Sequence, residues 1–200
     1  LGFYVGESFV HKPWVMAPST TTARDGLGPR YNAAACADCH HYNGKMRWQP
    51  NSDQLHNLVL RLGNSGAGFQ LQPRAIAGME GEGRIDLQWQ TESVEFKDGF
   101  QLLLRKPLVQ FIASEKHYYT SHFSLRVAPM LAGMAELEAI PLSKVQALAR
   151  KQAARSDAIK GQVSYVAGQG EKVMGRFGWK AEVASLTEQV ALALHQDMGI

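Results

Sequence analysis

The only two cysteines of the chain lie three positions apart, and a histidine follows the second one: Cys36, Cys39 and His40. Thiols at this spacing on a short helix lie on the same side, so they can add to two neighbouring vinyl groups of a porphyrin. The next residue then offers its imidazole to the iron. The pattern therefore predicts covalent attachment of a c-type haem, with His40 as the proximal iron ligand.

Two other interpretations of the cysteine pair stay open. A thioredoxin-like redox motif has the same Cys-x-x-Cys spacing, but it needs a strand that leads directly into the helix, and a loop sequence precedes residue 36. A zinc site would need further ligands, such as His41 or His56, because the chain has no other cysteine. We expect haem attachment, because each alternative needs partners that the motif does not contain.

Composition and motif together limit the partners and the location of the protein. The net charge of +3, from 21 Lys and Arg against 18 Asp and Glu, is too small and too scattered to predict a nucleic-acid surface. No apolar run approaches the ~18 residues of a membrane helix, so we expect no membrane span. Since bacteria attach haem covalently outside the cytoplasmic membrane, the motif predicts a periplasmic or exported protein.

The residue patterns around the motif mostly predict helices, and these elements must position it. An alanine-rich run predicts a short helix over 33–41, with Asn32 as its N-cap. Apolar residues at three-and-four spacing predict a second helix over 51–62, ended by Gly63, and then a glycine-rich loop over 63–83. Further helices are predicted after Pro141 and from Ser185 to about residue 195, the last with a capping box formed by Ser185 and Glu188.

One segment has the alternation of a β structure. Ile85, Leu87 and Trp89 share one face, and the chain turns at Asp98 and Gly99 before a second apolar run, so residues 84–106 predict a β-hairpin. The expected fold is mainly α, with this small inserted β-hairpin or sheet. A length of 200 residues suits a single domain over 1–200.

Several blocks outside the haem motif resemble one protein family. They are residues 25–32 (DGLGPRYN), 126–129 (RVAP), 137–141 (LEAIP), 175–181 (GRFGWKA), 186–190 (LTEQV) and 197–200 (DMGI). In this order they are similar to the di-haem oxidoreductases once labelled thiol oxidoreductases, which resemble the bacterial di-haem cytochrome c peroxidases. The resemblance implies a cytochrome c-like haem domain, and it implies that the chain is the N-terminal part of a longer protein with a second haem domain beyond residue 200.

The resemblance also implies roles for individual residues. Trp179 resembles the aromatic that lies between the two haems, Gln189 the amide of the peroxide pocket, and Asp197 the acid of that pocket. His56 falls where some of these enzymes place a removable distal histidine, so it is a candidate second iron ligand. Similar peroxidases hold calcium between their domains, which implies a calcium ion in the full-length protein.

The function implied is that of a peroxidase-like enzyme that takes electrons from a redox protein through the second haem. Hydrogen peroxide or another small oxidant would react at the haem held by His40, with Asp197 and Gln189 handling the proton. The alternative is a haem c electron-transfer protein without substrate chemistry. In that case both axial positions are filled, by His40 and by His56 or a methionine.

Overall fold

The chain folds into two compact units. The computed structural model describes residues 1–45, 58–63, 70–114, 122–168 and 170–200. The first unit comprises Leu1–Pro129 and Gln196–Ile200, and it contains the cysteine motif; the second is Met130–His195. The idea of a single haem domain over 1–200 stays a prediction.

Five α-helices and eight strands make up the regular structure of the described residues. The helices are α1 (Gly2–His11), α2 (Cys36–Cys39), α3 (Met134–Ala139), α4 (Leu142–Ala153) and α5 (Leu186–Met198). Short 3-10 turns occupy Thr22–Arg24 and His41–Asn43. The strands are β1 (Arg30–Tyr31), β2 (Val59–Leu62), β3 (Arg74–Ala75), β4 (Gly83–Glu95), β5 (Gln101–Ala113), β6 (Phe123–Arg126), β7 (Tyr165–Ala167) and β8 (Lys172–Met174). No helix among these is long and apolar enough to cross a membrane.

All four sheets of the described residues are two-stranded and antiparallel. The pairs are β1 with β3, β2 with β6, β4 with β5, and β7 with β8. The hairpin predicted over 84–106 corresponds to β4 and β5, which pair from Gly83 with Ala113 to Glu95 with Gln101. Only β5 is longer than predicted, because it continues to Ala113. Its turn lies at the predicted place, where Gly99 has a φ of 82° and donates its N–H to the carbonyl of Phe96 at 2.9 Å.

The core of the first unit lies where β2 meets β6. Leu60, Leu62 and Leu71 are buried there, and the base of the hairpin packs on them through Ile85 and Phe111. A second apolar cluster lies next to the cysteine motif and is formed by Ala33, Cys39, Leu58 and Ala128. Leu58, just before β2, and Leu60 and Leu62 within it therefore join the cysteine motif to the main core.

The expectation of a mainly α, cytochrome c-like fold is wrong. The described residues are about 29% helical and 28% strand, the strands forming small antiparallel sheets. The helix predicted over 51–62 is a strand in its described part, because Leu58, Leu60 and Leu62 alternate into the core and the main chain pairs with β6. Residues 51–57 lie outside the described residues. Over so few residues, apolar positions at three-and-four spacing cannot distinguish a helix from a strand. Pairing with the distant strand β6 selects the strand.

The helix predicted over 33–41 is shortened to the single turn of α2. Its start is held by Asp38, whose carboxylate accepts the N–H groups of Ala34 at 3.2 Å and Ala35 at 3.1 Å. Asn32 is therefore not the N-cap that the sequence predicts. Its side chain is buried and donates to the carbonyl of Leu71 at 3.2 Å instead.

Helix α4 and the start of α5, both in the second unit, lie where the sequence predicts them, and α5 continues to Met198, beyond the predicted end near residue 195. The hydroxyl of Ser185 accepts the N–H of Glu188 at 3.2 Å, which is one of the two hydrogen bonds of the predicted capping box. Another N–H of the first turn, that of Leu186, donates to the carboxylate of Glu138 at 2.8 Å. The start of α5 is thus capped by two side chains, of which the more distant one has no local sequence signal.

Candidate functional site

The cysteine motif occupies one tight helical turn of the first unit. The N–H of His40 donates to the carbonyl of Cys36 at 2.8 Å, which closes the turn. The carboxylate of Asp38 caps its other end. Because Cys36 and Cys39 are three positions apart on this turn, their side chains lie on the same side of it.

The two thiols are not joined in a disulfide, and they differ in burial. Cys39 is 8% exposed and packs in the apolar cluster with Ala33, Leu58 and Ala128, whereas Cys36 is half-buried. Burial raises the pKa of Cys39 to about 12, and the negative charges of Asp197 and Asp38 act in the same direction. Burial also raises the pKa of Cys36.

These raised pKa values argue against the thioredoxin-like interpretation. A redox-active Cys-x-x-Cys pair needs a lowered thiol pKa, since the thiolate is the attacking species. Here Asp38 and Asp197 place negative charge beside both sulfur atoms. The residues just before α2 are also not a strand, so the βαβ context is missing at this helix.

His40 has the arrangement of a metal-ligating histidine. Its Nδ1 lies 2.6 Å from the main-chain carbonyl oxygen of Pro129. A carbonyl only accepts, so Nδ1 carries the proton and Nε2 keeps its lone pair. Burial lowers the pKa of His40, against the opposing effect of hydrogen bonds with Pro129 and Gly44, which favours the neutral ring that binds a metal.

The residues of the motif fit a covalently bound haem. Two neutral thiols lie on one side of a helical turn, and the next residue is a neutral imidazole whose Nδ1–H is held by a carbonyl, as ligating histidines usually are. The described residues contain no group of three or more His, Cys, Asp or Glu side chains that could hold a metal ion.

Among the described residues, Asp197 is the one other predicted site residue that the first unit brings to the motif. Its main-chain carbonyl accepts the N–H groups of Asn32 at 2.6 Å and Ala33 at 3.1 Å, just before α2. Its carboxylate accepts a hydrogen bond from the side-chain N–H of Gln70. Burial raises the pKa of Asp197, while Gln70 and the charge of Arg61 act in the opposite direction.

The structure adds two groups that the sequence analysis missed. Gln70 is 7% exposed and holds the Asp197 carboxylate, although it falls in the stretch predicted to be loop. The carbonyl of Pro129 orients His40. A main-chain carbonyl is present at every residue, so no sequence signal marks this one. For Gln70, the only sequence sign of burial is its apolar neighbour Leu71, which lies in the core.

The remaining predicted site residues are not part of the first unit as described. Gln189 and Trp179 belong to the second unit. The Oε1 of Gln189 is buried and has no hydrogen-bond donor among the described residues, whereas the Trp179 side chain is 55% exposed. His56 lies outside the described residues, so its role as an iron ligand stays a prediction.

Comparison with known proteins finds no matching family model, no matching curated protein and no matching solved structure. The resemblance to the di-haem oxidoreductases therefore stays a prediction that depends on the quoted sequence blocks.

Proposed function

We propose that this chain is a c-type haem-binding oxidoreductase with peroxidase-type activity. Cys36 and Cys39 would form the two thioether bonds, and His40 would be the proximal iron ligand through Nε2. The observation that carries the proposal is the 2.6 Å hydrogen bond between His40 Nδ1 and the carbonyl of Pro129, next to two thiols on one helical turn. When bound, the haem would supply the redox chemistry with hydrogen peroxide or a similar small oxidant.

The carbonyl of Pro129 sets the properties of the proposed ligand. It holds the imidazole ring in one orientation and one tautomer. A hydrogen bond at Nδ1 also makes Nε2 more basic, which strengthens its bond to a metal. Because burial keeps the ring neutral, Nε2 does not have to lose a proton before it binds.

Asp197 is the proposed acid of the site. Its raised pKa lets the carboxyl hold a proton nearer neutral pH than an exposed aspartic acid does, which is the property that a proton donor needs. Gln70 fixes the orientation of this carboxyl. In the second unit, Gln189 is the proposed pocket amide, and its buried Oε1 without a donor is consistent with a bound group there.

The proposal extends to partners and location as the sequence implied them. Trp179 is the proposed bridging aromatic towards a second haem domain beyond residue 200, which would receive electrons from a redox protein. A calcium ion is proposed for the full-length protein only. The proposed location is the periplasm or outside the cell, where the haem-attachment machinery of bacteria works.

The first test is covalent haem after expression with a c-type maturation system. We expect intact-protein mass spectrometry to show one haem added, and Cys36→Ala with Cys39→Ala to remove it. His40→Ala should change the absorption spectrum of the iron, while His41→Ala, the matched control on the next residue, should not. A wild-type protein without added haem would overturn the proposal.

The second test separates an enzyme from an electron carrier. We expect a high-spin ferric signal in electron paramagnetic resonance, and a rapid change of the ferric spectrum when hydrogen peroxide is added. A purely low-spin signal without reaction would contradict peroxidase chemistry and would favour a carrier with both axial positions filled. A supporting result would be loss of the peroxide reaction, with the haem retained, in Asp197→Asn.

A further inference from the structure

The indole N–H of Trp14 is buried and has no acceptor. Trp14 lies just after α1, its side chain is only partly exposed, and its Nε1 has no hydrogen-bond partner among the described residues. An indole nitrogen can only donate, so it needs an acceptor. A buried donor without an acceptor is destabilising, and native structures rarely keep one. None of the described residues supplies this acceptor, so the indole N–H is available to a bound group.

Trp14 is held directly beside the haem-attachment motif. Its main-chain N–H donates to the carbonyl of Ala34 at 2.8 Å, two residues before Cys36. Its ring packs against Phe9 with centroids 5.9 Å apart. The next residue, Val15, donates to the carbonyl of Arg24 at 3.0 Å. Residue 14 is therefore held close to the motif, and contacts of both its main chain and its ring restrict the indole.

The charges around Trp14 favour an anionic acceptor. Arg24 Nη1 donates to the carbonyl of Pro13 at 2.7 Å, so its guanidinium contacts the main chain of the residue before Trp14. Lys12 adds a second, exposed positive charge. The acid of this segment, Asp25, is engaged by the N–H of Ser19 at 3.3 Å. A carboxylate near Nε1 would accept a hydrogen bond from the indole N–H and would lie near the positive charges of Arg24 and Lys12.

We infer that Nε1–H of Trp14 donates a hydrogen bond to a propionate carboxylate of the covalently bound haem. The inference rests on the proposed haem attachment at Cys36 and Cys39. Haem carries two propionates, which are anionic acceptors that must be stabilised when they leave water. Trp14 is thus a cofactor-binding residue, and the positive charge of Arg24 supports the same carboxylate.

The test uses the haem-loaded protein and the variant Trp14→Phe, with Trp89→Phe on the hairpin as the matched control. Haem loading is measured first, by mass spectrometry. Resonance Raman spectra and redox titration then report on the propionates and on the iron. We expect Trp14→Phe to shift the propionate bending mode and to lower the midpoint potential, because a carboxylate without its donor stabilises ferric iron more strongly. Trp89→Phe should change neither.

Failure of the two proposals can be told apart. If the wild type carries no covalent haem, the proposed function is wrong. If haem-loaded Trp14→Phe has the Raman mode and potential of the wild type, a water or another group accepts the indole N–H and the inference is wrong. Should Trp14→Phe fail to load haem, two further measurements decide. Deuterium exchange of the wild type should shift its propionate mode. The variant Arg24→Gln should have a lower midpoint potential than the wild type. If either measurement shows no change, the inference is wrong.

Discussion

Gln70 donates its side-chain N–H to the carboxylate of Asp197, although 127 positions separate the two residues in the sequence. The bond joins the last turn of α5 to the buried Gln70, which pairs with Arg61 of β2 as an isolated β-bridge. The main-chain carbonyl of Asp197 meanwhile holds the segment just before the cysteine motif through Asn32 and Ala33. Asp197 thus connects the last turn of α5 to the cysteine motif.

The Gln70 side chain should contribute measurably to stability. Gln70→Ala leaves the Asp197 carboxyl buried without its donor, which we expect to lower the free energy of unfolding by about 1–3 kcal/mol. In urea titrations, a double-mutant cycle with Asp197→Asn should give a coupling energy of about 0.5–3 kcal/mol. Gln90→Ala, on an exposed position of the hairpin, is the control and should change little. Additive single mutants would show that the contact is energetically unimportant.

Glu82 should make stability depend on pH. This residue is 7% exposed, and its carboxylate accepts the N–H of Gln72 at 2.8 Å. Burial raises the pKa of Glu82 above 4.5, while the Gln72 hydrogen bond and the charge of Arg30 act in the opposite direction. The folded state therefore holds this proton more tightly than the unfolded state does. The resulting stability is fully present below pH 4.5 and is lost as the pH rises through the folded pKa.

The variant Glu82→Gln isolates this effect, because it stays neutral at every pH. We expect the free energy of unfolding of this variant, relative to the wild type, to rise as the pH increases from below 4.5 and then to level off. The total rise should be about 1.4 kcal/mol for each unit by which the folded pKa of Glu82 exceeds the unfolded one. Urea unfolding at a series of pH values measures it. Glu92→Gln removes an exposed charge and serves as the control. Parallel stability curves for Glu82→Gln and the wild type would contradict the assignment.

Gly199 should tolerate no side chain. Its φ is 71°, and a Cβ there would collide with the carbonyl oxygen of Arg30 and lie 3.1 Å from Gly28 Cα. Gly78 also has a positive φ, of 84°, but nothing lies within 4 Å of its Cβ position. Gly78→Ala should cost only the left-handed strain of about 1–2 kcal/mol, and Gly199→Ala should cost clearly more. Equal shifts of the urea midpoint in the two variants would show that the close approach is absent.

Leu60 should be the most sensitive position of the core. Its side chain is 0% exposed and lies in the cluster with Leu62 and Leu71. We expect Leu60→Ala to lower the free energy of unfolding by about 2–5 kcal/mol, since it removes apolar contacts and leaves a cavity. Leu103, 71% exposed on the hairpin, is the matched control, and Leu103→Ala should change stability by about 0.5 kcal/mol or less. Thermal or urea unfolding of the two variants distinguishes them.

Local patterns predicted the elements whose signals are strong and continuous. The alternation from Ile85 to Trp89, with Gly99 at the turn, predicted the hairpin, and the capping residue Ser185 predicted the start of α5. Patterns failed where the run is short. The spacing of Leu58, Val59 and Leu62 fits a helix as well as a strand, and only pairing with β6, about 60 residues away, selected the strand.

By itself, the sequence determined the chemical groups of the candidate site: two thiols and an imidazole, at a spacing that follows from covalent chain geometry. Only the tertiary structure decided how those groups are tuned. The carbonyl of Pro129 selects the tautomer of His40, and the burial of Cys39 raises its thiol pKa to about 12. Both effects come from main-chain groups and apolar side chains that are distant in sequence, and such groups act only once folding has removed water from around them.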